Sequence, residues 1–275
     1  MSDRIFAITS VYDEPGLLPH FLDHYTRLGV HRILIVVRGA ERDERYRRAV
    51  EWARRFPAEV SWFRSEFFAD SDKAEVESQV LRDAGVEADD YVMHLDLDEF
   101  HEYPAPLGEI VALMNRHDDW AVRGWFLDRM APGGVLTTIR PSPSIGEQFP
   151  IACDFTDKLL HAWTQKIMLC RGRVELQGGV NHETCNAYYD RVPVGRAADY
   201  LVHHFKWTKG IDARLRERLE KAAICEAYAD ECRLFLQSFR ETGKIDLSDP
   251  RLGARWRGGL TYPSCRVSMP DGSST

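Results

Sequence analysis

Residues 33–37 read Ile33-Leu34-Ile35-Val36-Val37, five apolar side chains in a row, four of them β-branched. A strand sends successive side chains to opposite faces, so a strand with no polar position must be covered on both. That requirement favours a sheet sandwiched between helices. The flanking sequence supplies the other layers. Short apolar runs at Ile5-Phe6-Ala7-Ile8, Val60-Ser61-Trp62-Phe63 and Tyr91-Val92-Met93-His94-Leu95 alternate with helix-length segments. Pro15 is expected to open the first helix, where Leu17, Leu18, Phe21, Leu22, Tyr25 and Leu28 follow the 3.6-residue period up to Gly29. A second helix is expected around Tyr46, Val50, Ala53 and Phe56, and a third from about Ser71 to Ala84 before Gly85. Repeated βα units imply a mostly parallel, Rossmann-like central sheet with helices on both faces.

The second half is less regular. Pro106 opens a short helix through Ile110, Val111, Leu113 and Met114, and strand-like pieces follow at 120–127, 135–140, 166–170 and 200–205. Residues 141–162 are Pro- and Ser-containing and poorly periodic, and are expected to form a surface loop. From Lys209 to about Arg240, Ile211, Leu215, Leu219, Ala222, Cys225, Ala229, Cys232, Leu236 and Phe239 predict one amphipathic helix packed as a C-terminal helical extension. The tail after Gly258 is expected to be loosely ordered.

Charge and cysteine usage narrow the function classes. With 36 Lys and Arg against 43 Asp and Glu, the net charge of −7 gives no general attraction to nucleic acid. The apolar runs are strand-length, far below the roughly 20 residues a membrane span needs. The opening residues show no basic, apolar leader pattern, so a cytoplasmic protein is expected, with peripheral membrane association left open. The six cysteines are scattered without a C-x-x-C pair and are expected to be reduced thiols.

In an open α/β sheet, ligands bind beyond the carboxyl ends of the strands. The run Asp96-Leu97-Asp98-Glu99-Phe100 stands at that end of a buried strand. If the strand continues, alternation puts Asp96 and Asp98 on one side with Cα atoms about 6.6 Å apart. Two carboxylates so placed suit a hard divalent cation that takes its remaining ligands from water and phosphate. The competing reading is a solvated acidic turn.

Leu95-Asp96-Leu97-Asp98-Glu99-Phe100 resembles the D-x-D-E-F signature of family 2-like and family 92-like glycosyltransferases of the GT-A fold. Val11-Tyr12-Asp13-Glu14-Pro15-Gly16-Leu17-Leu18 with His24-Tyr25 and Leu28-Gly29-Val30, then Gln165-Lys166-Ile167, Gly179-Val180-Asn181-His182 and His203-His204-Phe205-Lys206-Trp207, resemble further family segments in the same order. The customary D-N-x-S-x-D after the second strand is replaced by Arg38-Gly39-Ala40-Glu41-Arg42-Asp43, which leaves the base pocket undefined.

The resemblance implies a metal-dependent transferase (hexosyl or N-acetylhexosaminyl) that moves sugar from a nucleotide-diphosphate donor, UDP preferred, to an unknown acceptor with inversion. It implies a GT-A catalytic domain over 1–208 (donor half to about 105, acceptor half 106–208), a helical region 209–245 and a tail 246–275. Asp96, Asp98 and His204 would hold Mn²⁺ or Mg²⁺, with imidazole tilting the choice to Mn²⁺. Ser10, Tyr12, Glu14, Asp96, Lys166 and His182 would line the donor site, although Lys166, like Arg140, reads equally well as surface charge. Asp128 and Glu183 are alternative bases for the acceptor hydroxyl. His20 and His24 read as helix-surface residues. A sugar-nucleotidyltransferase would need a Gly-rich basic loop that 10–16 lacks. A non-catalytic nucleotide-sugar-binding protein of the same fold is the remaining alternative.

Overall fold

The computed structural model describes residues 4–12, 16–64, 70–174, 176, 200–221 and 226–263. Its first half is β1 (Ile5–Val11), α1 (Leu18–Arg27), β2 (Arg32–Gly39), α2 (Glu44–Ala53), β3 (Ala58–Arg64), α3 (Asp70–Asp83) and β4 (Tyr91–Asp96). These strands are parallel neighbours in the order β3-β2-β1-β4. The apolar run of β2 explains the layering. Ile33, Ile35 and Val37 join Phe21, Leu22 and Tyr25 of α1 and Ala49 and Ala53 of α2 in one core. Leu34 and Val36 face the other way, onto a core flanked by Val76, Val80 and Leu81 of α3. Stepping from β1 to β2 to β3 uses helices on one face, and the return to β4 on the far side of β1 uses α3 on the opposite face, as right-handed crossovers require. The sheet therefore reverses its winding between β1 and β4.

Local signals set these elements. Asp43 caps α2 by accepting from Arg45 N at 2.9 Å. Gly29, at φ 88°, ends α1, and Val30 N reaches back to Tyr25 O at 3.1 Å. A Cβ there would meet nothing within 4 Å, so a substitution carries only the left-handed backbone cost, roughly 1–2 kcal/mol.

Beyond β4 come β5 (Glu99–Glu102), α4 (Leu107–His117), β6 (Ala121–Met130), α5 (Ile145–Gln148), β7 (Ile151–Cys153), α6 (Phe155–Lys158), β8 (Gln165–Arg171), β9 (Leu201–His204), α7 (Ile211–Lys221), α8 (Glu226–Thr242) and β10 (Arg255–Trp256). Here β8 is antiparallel to both β4 and β6, and β7 is antiparallel to β6 and β10. The sheet is thus mixed, parallel from β3 to β4 and largely antiparallel beyond, while β9 bridges β5 and β6.

Four expectations are corrected. Residues 135–140 form no strand; both edges of β6 are already paired, one with β8 and then β7, the other with β9. Residues 141–162 are not a surface loop. They carry α5, β7 and α6, and Ile145, Phe149, Cys153, Phe155 and Leu160 are buried. The single C-terminal helix is two helices packed together, and Ile211, Leu215, Cys232 and Phe235 share a core with Met130, Phe155 and Trp207. His24 is not a surface residue. It donates from Nε2 to His101 O at 2.9 Å and accepts at Nδ1 from the Tyr262 hydroxyl at 2.9 Å, and burial pushes its pKa down to about 3.

That last contact ties the chain back to the body at Tyr262, where the sequence predicts a loosely ordered tail after Gly258. Thr261 N donates to Glu102 Oε2 at 3.2 Å, and Arg257 Nη2 donates to Glu102 Oε1 at 2.5 Å. Arg129, buried in β6, donates to Gly258 O from the other side. Cys153, Cys170 and Cys232 are buried free thiols. Among the described residues no helix is long and apolar enough to cross a membrane.

Candidate functional site

The winding reverses between β1 and β4, and in open α/β sheets the ligand crevice lies beyond the carboxyl ends of the strands at such a reversal. Ser10 and Asp96 are register partners at that rim. The strand does not run through the acidic motif. β4 ends at Asp96, Leu97 and Asp98 form a turn, and β5 starts at Glu99. Strand alternation therefore does not relate Asp96 to Asp98, and the two carboxylates have different surroundings.

Asp96 lies between two lysines. Lys73 Nζ donates to its Oδ1 at 2.5 Å and Lys166 Nζ to its Oδ2 at 2.5 Å. Lys166 also reaches Glu99 Oε1 at 2.5 Å, and Glu99 Oε2 accepts from Asp96 N at 3.1 Å. Burial would raise the Asp96 pKa, but Lys166 and Lys73 outweigh it and hold the carboxyl well below the usual range. Glu99 goes the other way. Burial and its carboxylate neighbours Asp96 and Asp98, against the pull of Lys166, bring its pKa up to about 7. Lys166 is fully buried, which corrects the reading of it as surface charge. It sits there because β8 runs antiparallel to β4, so its first residues stand beside the last of β4.

Lys73 was not singled out from the sequence. The signal is its position: 73, 77, 80, 81 and 84 fall on one helical face, so Lys73 and Glu77 interrupt an otherwise apolar stripe. Glu77, also buried, accepts from Ser10 Oγ at 3.0 Å, and its Oε2 lies 3.3 Å from His94 Nδ1. The Ser10 hydroxyl is thus committed to Glu77. Tyr12 follows β1, with its carbonyl accepting from Arg45. Glu14, His182 and Glu183 lie outside the described residues.

Asp98 meets a different set. His204 closes β9, in register with Glu99 on one neighbour and Asp128 on the other. Its ring stacks on Phe126 with centroids 4.8 Å apart. Nδ1 lies 3.2 Å from Asp128 Oδ1 and Nε2 lies 3.9 Å from Asp98 Oδ2. Burial pulls the His204 pKa down, and the two carboxylates outweigh it and raise it. Asp128 accepts from Thr156 N at 2.6 Å, Thr156 Oγ1 at 2.8 Å and Trp207 Nε1 at 2.7 Å besides His204. Burial would raise its pKa, but these partners, His204 first, lower it. This corrects the assignment of Asp128 as an acceptor base. The group is 1% exposed, and its lone pairs are already engaged. It orients His204 instead.

Whether the site fits a divalent cation follows from its donors. Asp98 is 27% exposed on its side chain and faces the Nε2 edge of an imidazole whose other nitrogen is fixed on a buried carboxylate, the usual support of a metal-ligating histidine. One carboxylate oxygen and one imidazole nitrogen suit Mn²⁺, with the other positions left to water and phosphate. Asp96, with an ammonium on each oxygen, is not free to join them. Among the described residues no group of three or more His, Cys, Asp or Glu is arranged to hold a metal ion, so the fit is to a two-residue donor pair.

No protein-family model matches the chain, and no curated protein is significantly similar to it.

Proposed function

We propose that this chain is a metal-dependent glycosyltransferase of the GT-A type that moves a sugar from a nucleotide-diphosphate donor, UDP preferred, to an acceptor nucleophile with inversion. One observation carries the reading: Asp98 and His204 converge at 3.9 Å in the crevice at the sheet's reversal, with His204 held by buried Asp128. Asp98 and His204 would hold a divalent cation, whose Lewis acidity offsets charge on a leaving diphosphate. Asp128 keeps the Nδ1 proton of His204 directed inward, so Nε2 is the nitrogen presented to the crevice. Phe126 fixes the ring plane and shields it from water. Lys73 and Lys166 add positive charge where a diphosphate would lie. With Asp128 engaged, Glu183 is the acceptor base in this proposal.

The test is a thermal-shift panel of UDP, GDP, dTDP and CMP with and without Mn²⁺. A nucleotide at 100 times its dissociation constant adds about 2.7 kcal/mol of stability. UDP with Mn²⁺ is expected to give the largest shift, and a panel in which no nucleotide stabilises the protein sinks the proposal.

A further inference from the structure

Asp96 is the more open partner of its own ion pairs. Its side chain is 43% exposed, while Lys73 is 3% and Lys166 0% exposed. A carboxylate that could be solvated by water instead lies across two ammonium groups cut off from water, which need a counter-charge where they are. Lys166 has Glu99 as a second counter-ion, and Lys73 is bonded at 2.5 Å to Asp96. In this arrangement Asp96 cannot serve a cation. Both its oxygens accept ammonium protons, and two positive charges stand directly behind it. A diphosphate changes that balance, since it carries more charge than a carboxylate and enough oxygens to meet both lysines.

Resting on the transferase reading of this crevice, we propose that Lys73 and Lys166 hold Asp96 away from the cation until a diphosphate replaces it as their counter-ion. Cation binding by Asp98 and His204 alone is then weak, and Asp96 joins only when the diphosphate is in place. Coupling of this kind is reciprocal: the diphosphate tightens the cation by the factor by which the cation tightens the diphosphate. A monophosphate has oxygens enough to reach both ammonium groups, which one carboxylate already bridges, but it brings less charge than a diphosphate and is the weaker competitor for them.

The experiment measures free Mn²⁺ by electron paramagnetic resonance in titrations of the whole protein, alone and with UDP or UMP, corrected for Mn²⁺ bound to nucleotide in buffer. In the wild type, UDP tightens Mn²⁺ tenfold or more and UMP by a clearly smaller factor; a UMP effect equal to that of UDP overturns the preference for the diphosphate. In Lys73→Gln, with folding checked by melting, Mn²⁺ alone binds at least fivefold tighter because Asp96 Oδ1 is freed while Lys166 keeps Oδ2, and UDP binds at least tenfold weaker. Mn²⁺ binding that is unchanged or weaker in folded Lys73→Gln overturns the gate. Should that variant not fold, Asp96→Asn decides: Mn²⁺ alone stays within twofold of wild type but Mn²⁺ with UDP loses tenfold or more, whereas equal losses in both overturn the gate. A wild type that binds neither UDP nor Mn²⁺ with UDP removes the transferase reading and the gate together. Normal Mn²⁺ and UDP binding with an unchanged Lys73→Gln removes the gate alone.

Discussion

His203 and His204 are adjacent on one short strand and live in opposite environments. His204 faces the crevice, where two carboxylates raise its pKa. His203 faces the side covered by residues 255–263. Its Nε2 donates to Glu102 Oε2 at 3.0 Å, and its Nδ1 accepts from Arg129 Nη1 at 3.1 Å, a pattern that needs a neutral ring. Burial drives its pKa down to about 4 despite Glu102. The open side keeps a nitrogen available next to an accessible carboxylate, and on the covered side both ring nitrogens of His203 are spent on holding chain to chain. One side leaves polar groups accessible and the other uses them for cohesion.

That division makes opposite mutational signatures. The largest effect belongs to the open side. Asp98→Asn should lower transferase turnover about thousandfold, some 4 kcal/mol, the scale of a lost Lewis acid, with the melting temperature unchanged. A large drop in melting temperature would break the contrast. On the covered side, Arg129→Met removes donors to Phe149 O, Gly146 O and Gly258 O and strands His203. It should cost about 3 kcal/mol of unfolding free energy in urea, while Mn²⁺ affinity of the folded fraction is unchanged.

Asp128→Asn sharpens the boundary, since Asp128 is as buried as Arg129 but serves His204. Mn²⁺ affinity should fall about ten- to hundredfold, read by the same resonance titration; a stability loss without a metal effect would place Asp128 with the cohesive side. The smallest effect is a pH dependence. His24 has a folded pKa of about 3, below its unfolded value of about 6.5. The unfolded chain therefore binds the extra proton first, and stability falls as pH drops below about 6.5, at about 1.4 kcal/mol per unit, until the folded group charges. Between pH 7 and 5.5 the loss from His24 is about 1.3 kcal/mol, read as a lower urea midpoint; His24→Gln should remove that share and leave the similar one from His203, whose folded pKa is also depressed. An unchanged slope in that variant would assign the effect elsewhere.

The parts of this division that could be read in the sequence are those with local signals. The strand at 33–37 and the helices bearing Phe21 and Tyr25 announce themselves by period, as does the strand ending at Asp96. The three-residue β7 and two-residue β10 are too short to show a period, and their partners lie far away in the chain. The site divides the same way. Asp98 and His204 were singled out by the motif and the strand-end histidine, and they do face each other. The task of Asp128 depends on Thr156 and Trp207, 28 and 79 residues away, which no local pattern links. Lys73 was hidden by its charged surroundings on α3, although its helical phase marked it as inward-facing.

The bond between His24 and Tyr262 spans 238 residues. In a chain made from its N-terminus at about 5–20 residues per second, His24 waits roughly 12–48 s for its partner to be synthesised. During that interval α1 can dock on the sheet, but the polar edge around His24 and Glu102 stays wet. That edge can close only once residue 262 has been made, so it joins the fold after the strands that frame Asp96.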